Sequence, residues 1–318
     1  MKTRRGVALL LALWLVVAIA VVVLQFSLEA KERRTLGLNA AERGQSRAAA
    51  AGALAMVEAK LDYALRVAPT STTGNVGLLR ASDPWLGADS LYSGTVDVDS
   101  LPVVVQALDL GERLNINDLT EDQLRTFLAF VLNDYATADQ LADAIMDWID
   151  VDDIPRIHGA EKDDYIKAGL LALPANAPFR EVEELLQVKG MTPEIYAAVS
   201  PFLTTRGSGA VNLNSAPAPV LRALPGMTDA ILARIISMRS QGQRIQSVAQ
   251  VLPPQPRGRQ TTFAQQAGAV TLEARSTVTT QQVLLTILAR TGPQAQLVRF
   301  RAIVQRNGTT ANIGWKEW

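Results

Sequence analysis

The chain has 318 residues, 48% of them hydrophobic, enough to bury a sizeable core and, on length alone, to hold about two domains. Lysine plus arginine equals aspartate plus glutamate at 31 each, so no global field draws the protein to nucleic acid or to an acidic polymer, and partner binding must come from local patches. The absence of cysteine excludes a disulfide framework, a thiolate nucleophile and cysteine-built zinc sites, and with one histidine, His158, a Ser/His/Asp triad would have to use that residue.

Lys2, Arg4 and Arg5 precede an apolar run from Val7 to Leu24 that Leu28 extends past Gln25 and Ser27. A helix over Val7–Leu24 is ~27 Å long, close to the hydrocarbon thickness of a bilayer, and the leading basic residues keep the N-terminus cytoplasmic. The run is too long for a secretory signal and passes straight into Glu29, Lys31, Glu32 and Arg33 rather than a small-residue cleavage site. A short basic leader ending in Gly6 resembles the start of type IV pilin-like precursors, which prepilin peptidase cuts after that glycine. The expected cut is between Gly6 and Val7, and an uncleaved single-span anchor is the alternative. Pilin-like proteins carry Glu at the fifth position after the cut, where this chain has Leu11. A carboxylate in lipid is retained only for a partner, and the K-type minor pseudopilin is the family member with this departure.

Leu54, Val57, Leu61 and Leu65 fall three, four and four apart, on one face of a helix, so Val7 to about Arg66 reads as one long helix, weakened at Gly37, Gly44 and Gly52. Residues 7–28 form its transmembrane part and 29–66 its exported part. Thr70 to Gly77 is a polar break. Gly94–Val98 and Leu101–Leu108 are rich in β-branched residues and predict strands, which places the first part of the head domain at 67–112. Residues 113–250 read as mostly helical with an internal repeat. Leu114-Asn115-Ile116-Asn117 matches Val211-Asn212-Leu213-Asn214, and Leu185 to Thr192 matches Leu221 to Thr228, which predicts duplicated helical hairpins. Three prolines between Val251 and Gln260 mark a linker. In 251–318 the period becomes two: Val270, Leu272 and Ala274 alternate with polar neighbours. Val298, Phe300, Ala302 and Val304 do so again with Arg299 and Arg301 between them, predicting a C-terminal antiparallel sheet. Strands before and after a helical block indicate one α+β domain with a helical insertion.

Seven carboxylates crowd the segment from Asp147 to Asp164: Asp147, Asp150, Asp152, Asp153, Glu161, Asp163 and Asp164, offset by Arg156 and Lys162. Folded onto one loop they raise one another's pKa values unless a cation intervenes, and oxygen-only ligands favour a hard ion such as calcium. A solvated acidic loop closing a helix is the alternative, and Pro155 stands where an EF-hand needs glycine. His158 reads as a turn residue of that loop.

Asp147-Trp148-Ile149-Asp150-Val151-Asp152-Asp153, then Gly159-Ala160-Glu161 and Asp164-Tyr165, resembles the signature loop of the minor pseudopilin K family of type II secretion systems. Leader, span without the fifth-position Glu, repeated segments, acidic loop and terminal sheet follow in that family's order. The resemblance implies a pilin-like fold, with the long N-terminal transmembrane helix packed on an antiparallel sheet beside a helical insertion domain. It implies structural calcium at Asp150, Asp152, Asp153, Glu161 and Asp164, with Asp147 and Asp163 as further candidates. It also implies a non-enzymatic assembly subunit of the inner membrane with a periplasmic head, at the pseudopilus tip with other minor pseudopilins, starting assembly and limiting growth.

The repeat carries a competing reading. Leu-x-x-Leu-Pro-Gly-Met-Thr before an Ala-containing helix resembles a helix-hairpin-helix, whose amides approach a DNA phosphate, and a membrane-anchored exported DNA receptor would share the other features. Thr192 and Thr228 replace the second hairpin glycine, and Glu194 and Asp229 lie beside the hairpins, so packing is favoured and no nucleic acid is expected. Aromatic content of 5% gives no sugar-binding cleft to accompany the acidic loop, which leaves glycoside hydrolysis a remote third.

Overall fold

The computed structural model describes residues 3–67, 83–253, 263–292 and 295–318, with side chains from Leu13 and, in the helix ending at Arg275, from Ala267. Helix α1 (Thr3–Arg66) is continuous through Gly37, Gly44 and Gly52. It is the helix among the described residues that is long and apolar enough to cross a membrane. Its described side chains stay exposed until Glu42; then Ser46, Ala49, Ala50, Ala53, Leu54, Val57, Leu61 and Leu65 are buried along one face. The stripe predicted from spacing is therefore the core face, widened by alanines that let the sheet approach. Gly52 makes room for the Val98 side chain, since a Cβ there would lie 2.8 Å from Val98 Cγ1.

Five antiparallel strands pack on that stripe in the order β1-β2-β7-β8-β9: β1 (Gly94–Val98), β2 (Leu101–Asp109), β7 (Gln282–Ala289), β8 (Val298–Asn307) and β9 (Thr310–Glu317). Alternate residues Val103, Val105, Val283, Leu285, Ile287, Phe300, Ala302 and Val304 form one core with α1, and buried Trp85 closes it by donating Nε1–H to Leu61 O at 3.0 Å. Trp85 precedes a single helical turn, α2 (Ala88–Leu91). The edge strand β9 carries a bulge opposite Ile303 and Val304, which leaves Gly314 unpaired.

Between β2 and β7 the chain leaves the sheet to build two like units. The first opens with β3 (Leu114–Asn115), which pairs in parallel with β4 (Leu203–Thr204); between them lie α3 (Glu121–Leu132), α4 (Tyr135–Ile149), α5 (Lys162–Lys167) and α6 (Pro193–Val199). The second opens with β5 (Val211–Asn212), pairs with β6 (Ser276–Thr277), and encloses α7 (Ala218–Arg222), α8 (Asp229–Ser240) and α9 (Phe263–Arg275). One apolar core runs through both, with Phe127, Leu141, Trp148, Leu185, Leu221 and Ile235 buried in it.

The repeat predicted from sequence has a physical purpose. Asn117 donates Nδ2–H to Phe179 O and accepts from Phe179 N, at 2.9 and 2.8 Å, with a longer bond from Nδ2 to Thr205 O at 3.4 Å; Asn214 does the same to Ile245 O and N, both at 2.9 Å, and to Val278 O at 2.8 Å. The second asparagine of each segment thus clamps a returning chain whose buried backbone groups would otherwise lack partners.

One element differs from expectation. Val270, Leu272 and Ala274 lie on helix α9, not on a strand, so the helical insertion extends through Arg275 and the terminal sheet begins at Gln282. Of the three, Leu272 alone is buried, while Val270 is exposed. Alternation over five residues also fits a helix with one buried position, and the surrounding Ala, Gln and Glu favour helix. The Thr70–Gly77 break and residues 254–262 of the proline linker lie outside the described residues.

Candidate metal centre and assembly surface

The acidic loop follows α4, whose buried face carries Asp143, Asp147 and Trp148. Asp147 is wholly buried and already satisfied: Arg156 places Nη1 2.5 Å from its Oδ1, and the Arg156 backbone N–H donates to Oδ2 at 3.1 Å. The same Arg156 nitrogen lies 2.5 Å from Asp150 Oδ2. Gly159 is where this loop crosses the carboxylate, since a Cβ there would stand 1.9 Å from Asp147 Oδ2. His158 is a turn residue as expected; its backbone N–H donates to Asp143 Oδ2 at 3.0 Å.

Within this frame carboxylate oxygens of Asp150, Asp152 and Glu161 all lie within 4.8 Å of one another. Both Glu161 oxygens and Asp150 Oδ1 are buried with no hydrogen-bond partner. Burial, with Asp147 and Asp150 nearby, pushes the Glu161 carboxyl up to about 7. Three converging carboxylates, with both Glu161 oxygens and Asp150 Oδ1 lacking a proton donor, form a donor set that suits a hard divalent cation.

Asp153, Asp163 and Asp164, the other ligands that the resemblance implied, line one cleft with Glu161 but fall outside the converging set. Asp164 accepts from Glu161 N at 3.2 Å and caps the start of α5; Asp153 is exposed and accepts from Asn176 Nδ2 at 3.4 Å; Asp163 is exposed on α5. Arg125 was not read from the sequence. It ties Glu121, Asp139 and Asp143 together at 2.7, 2.5 and 3.4 Å and braces α3 against the loop-bearing α4. Its spacing of four from Glu121 was the available signal.

The hairpins repeat atom for atom. Met191 N donates to Val188 O at 3.0 Å and Met227 N to Leu224 O at 3.1 Å, Gly190 and Gly226 take φ of +88 and +79°, and Thr192 and Thr228 cap the next helix. Gly226 is backed by α9, where a Cβ would meet Gly268 O at 2.2 Å, and Asp229 pairs with Arg222 at 2.6 Å.

Two family models describing the type II secretion system protein K match the chain, one over residues 112–207 and the other over 211–274. Their bounds fall within three residues of those of the two structural units. The chain belongs to the protein K family of the type II secretion system. Type II secretion system protein K of Dickeya chrysanthemi is 27% identical over 277 residues, covering 70% of this chain and 73% of that protein. A putative protein K of Escherichia coli K12 is 33% identical over 93 residues, 28% of each chain. In the crystal structure of the GspK-GspI-GspJ complex from enterotoxigenic E. coli, a chain shares the fold with a TM-score of 0.60 at 18% identity, over 87% of this chain and 96% of that one.

This protein K is a minor pseudopilin, a structural component of the secretion system and not an enzyme. With one apolar N-terminal helix it fits a single-pass inner-membrane protein. Gly6 and Val7 fall within α1, and their side chains lie outside the described residues.

Proposed function

We propose that this pseudopilin sits at the pseudopilus tip and helps start assembly with two other minor pseudopilins of its system. The observation that carries the reading is the two-sidedness of α1. From Ser46 to Leu65 one face is buried against the sheet, while Leu36, Leu38, Met56 and Tyr63 remain exposed on a helix already anchored along its length. The complex in which the similar GspK chain was solved contains two such partners, GspI and GspJ. Growth past this subunit is limited by the bulk of the insertion and by Leu11 in place of the carboxylate that receives a neighbour's amine. The head lies in the periplasm, and prepilin peptidase cuts between Gly6 and Val7. Coexpression with the I- and J-type pseudopilins of the same system should yield a ternary complex that Tyr63→Asp with Met56→Asp dissociates. Recovery of the doubly substituted chain at parental levels would refute the interface. Intact mass should show a chain beginning at Val7 with a methylated amine only when active prepilin peptidase is coexpressed; a chain beginning at Met1 under both conditions would make it a fixed anchor.

Calcium is part of the same proposal. Asp150, Asp152 and Glu161 would hold it, and it would neutralise the buried Glu161 and Asp150 oxygens that lack a donor, ordering the loop between α4 and α5. A ligand at ~100 times its Kd stabilises the folded state by ~2.7 kcal/mol. Melting of the full chain should therefore rise with calcium and fall with chelator, and Glu161→Gln should abolish the response. A parental chain indifferent to both reagents would refute the site.

A further inference from the structure

Large apolar side chains that a head in water would normally bury are concentrated in one stretch of the insertion. Val151 is 86% exposed, Ile154 74% and Ile157 92%; Leu171 is fully exposed, and Ile166 is more than half exposed. Single exposed aliphatics are ordinary; a succession of them around one depression marks a contact surface. A cleft of about 310 Å³ opens in this stretch, lined by Asp153 and Pro155 on one side and by Glu161, Lys162, Asp163, Asp164 and Lys167 on the other, so the candidate cation ligand Glu161 lies in its wall. Ile154 is the chain neighbour of Asp153 and Pro155, and Ile166 that of Lys167.

The stretch is held, not loose. Asp152 accepts from Ile154 N at 2.9 Å, buried Asp147 from Arg156 N at 3.1 Å, buried Asp143 from His158 N at 3.0 Å, and Leu170 N donates to Tyr165 O at 3.0 Å. The exposed residues are thus presented on a backbone fixed by carboxylates beneath it, which lowers the ordering cost of a contact.

Charge selects the partner. Seven carboxylates between Asp147 and Asp164 face Arg156, Lys162 and Lys167, and Arg156 is consumed by Asp147 and Asp150; a bound divalent ion leaves the balance negative. An anionic lipid surface is repelled by it, and a second copy would set one acidic loop against another. We infer that this stretch docks an apolar segment carrying lysine or arginine from another exported polypeptide.

The test uses the full chain in zwitterionic nanodiscs with calcium present throughout, and empty nanodiscs as the blank. The probe is a short fluorescent peptide alternating glycine with leucine and lysine, against the same peptide with glutamate for lysine. The lysine peptide should bind the parental chain, at least tenfold more weakly after Ile154→Ser, Ile157→Ser and Leu171→Ser together, and severalfold more weakly to the parental chain when salt is raised. Circular dichroism of the serine variant should match the parent, since every substituted side chain is exposed. Equal binding by the serine variant, or equal binding of the glutamate peptide, would overturn the inference. So would a dimer of the parental chain that the serine variant abolishes, or capture of anionic vesicles in place of the peptide.

Discussion

Gly190 and Gly226 occupy equivalent places in two hairpins of nearly identical geometry, so replacing each by alanine isolates one physical difference. Both have positive φ, +88 and +79°, and alanine in that region costs ~1–2 kcal/mol at either site. At Gly190 the new methyl would meet Leu141 Cδ2 at 3.5 Å, an ordinary contact; at Gly226 it would stand 2.2 Å from Gly268 O, a backbone atom of α9 that cannot swing aside. Forcing the helix away is an overpacking cost of ~1–3 kcal/mol more. Gly226→Ala should melt roughly 2–12 °C below Gly190→Ala, a range that follows from ~2–4 °C per kcal/mol in a domain of this class. Thermal melts by far-ultraviolet circular dichroism at one detergent and calcium concentration measure it. Equal melting temperatures would refute the claim that the second hairpin glycine exists to receive α9, and would reopen that glycine as a surface for a phosphate.

Asn214→Ala removes three hydrogen bonds, leaves the buried Ile245 N–H and C=O unpaired while Val278 O keeps its bond from Arg244 Nη2, and should cost ~2–4 kcal/mol in denaturant unfolding; Asn214→Asp should recover part of it through the acceptor from Ile245 N. Gly159→Ala drives a methyl into Asp147 Oδ2 and should raise hydrogen exchange across residues 150–161 while α8 and α9 keep their protection. Burial pushes the Asp109 carboxyl up to about 6 and Glu112 up to about 7. The folded chain then holds protons that the unfolded chain releases, so this stability is complete below about pH 4 and is lost as pH rises through 6 to 7. Melting temperature should fall across that window, and Asp109→Asn should flatten the fall; an unchanged slope would show that Asp109 does not carry it.

The Asp109 site shows why part of the molecule was illegible in advance. Its Oδ2 accepts from Thr280 Oγ1 at 2.9 Å and from Ser215 Oγ at 3.2 Å, and Thr280 N donates to Asp83 at 2.8 Å. These groups join the end of β2 to the start of the second unit and to the segment before β7. No residue in that set was singled out from the sequence, because each is an ordinary polar residue in a turn until the chain returns and closes the junction. The acidic loop was legible as a loop, and its charge density pointed to a hard cation. Which carboxylates converge was not legible: Asp147 is claimed by Arg156 and Asp164 by its own helix end, and both facts depend on how the loop folds back.

What the sequence determined by itself was carried by period and by local chemistry. The apolar run to Leu24, the Leu54 to Leu65 stripe, the alternation of β8 and the doubled asparagine segments each express a rule within a few residues, and each was found in place. Tertiary structure decided which faces meet. Leu272 is the covered position of helix 263–275 because that side meets the core of the insertion, Gly226 is glycine because Gly268 lies against it, and Glu161 is left without a donor because Arg156 is spent on Asp147 and Asp150. A period tells which side of an element is apolar; it holds no information about the element that will cover that side, and charges compete for one arginine only after the chain has brought them within reach.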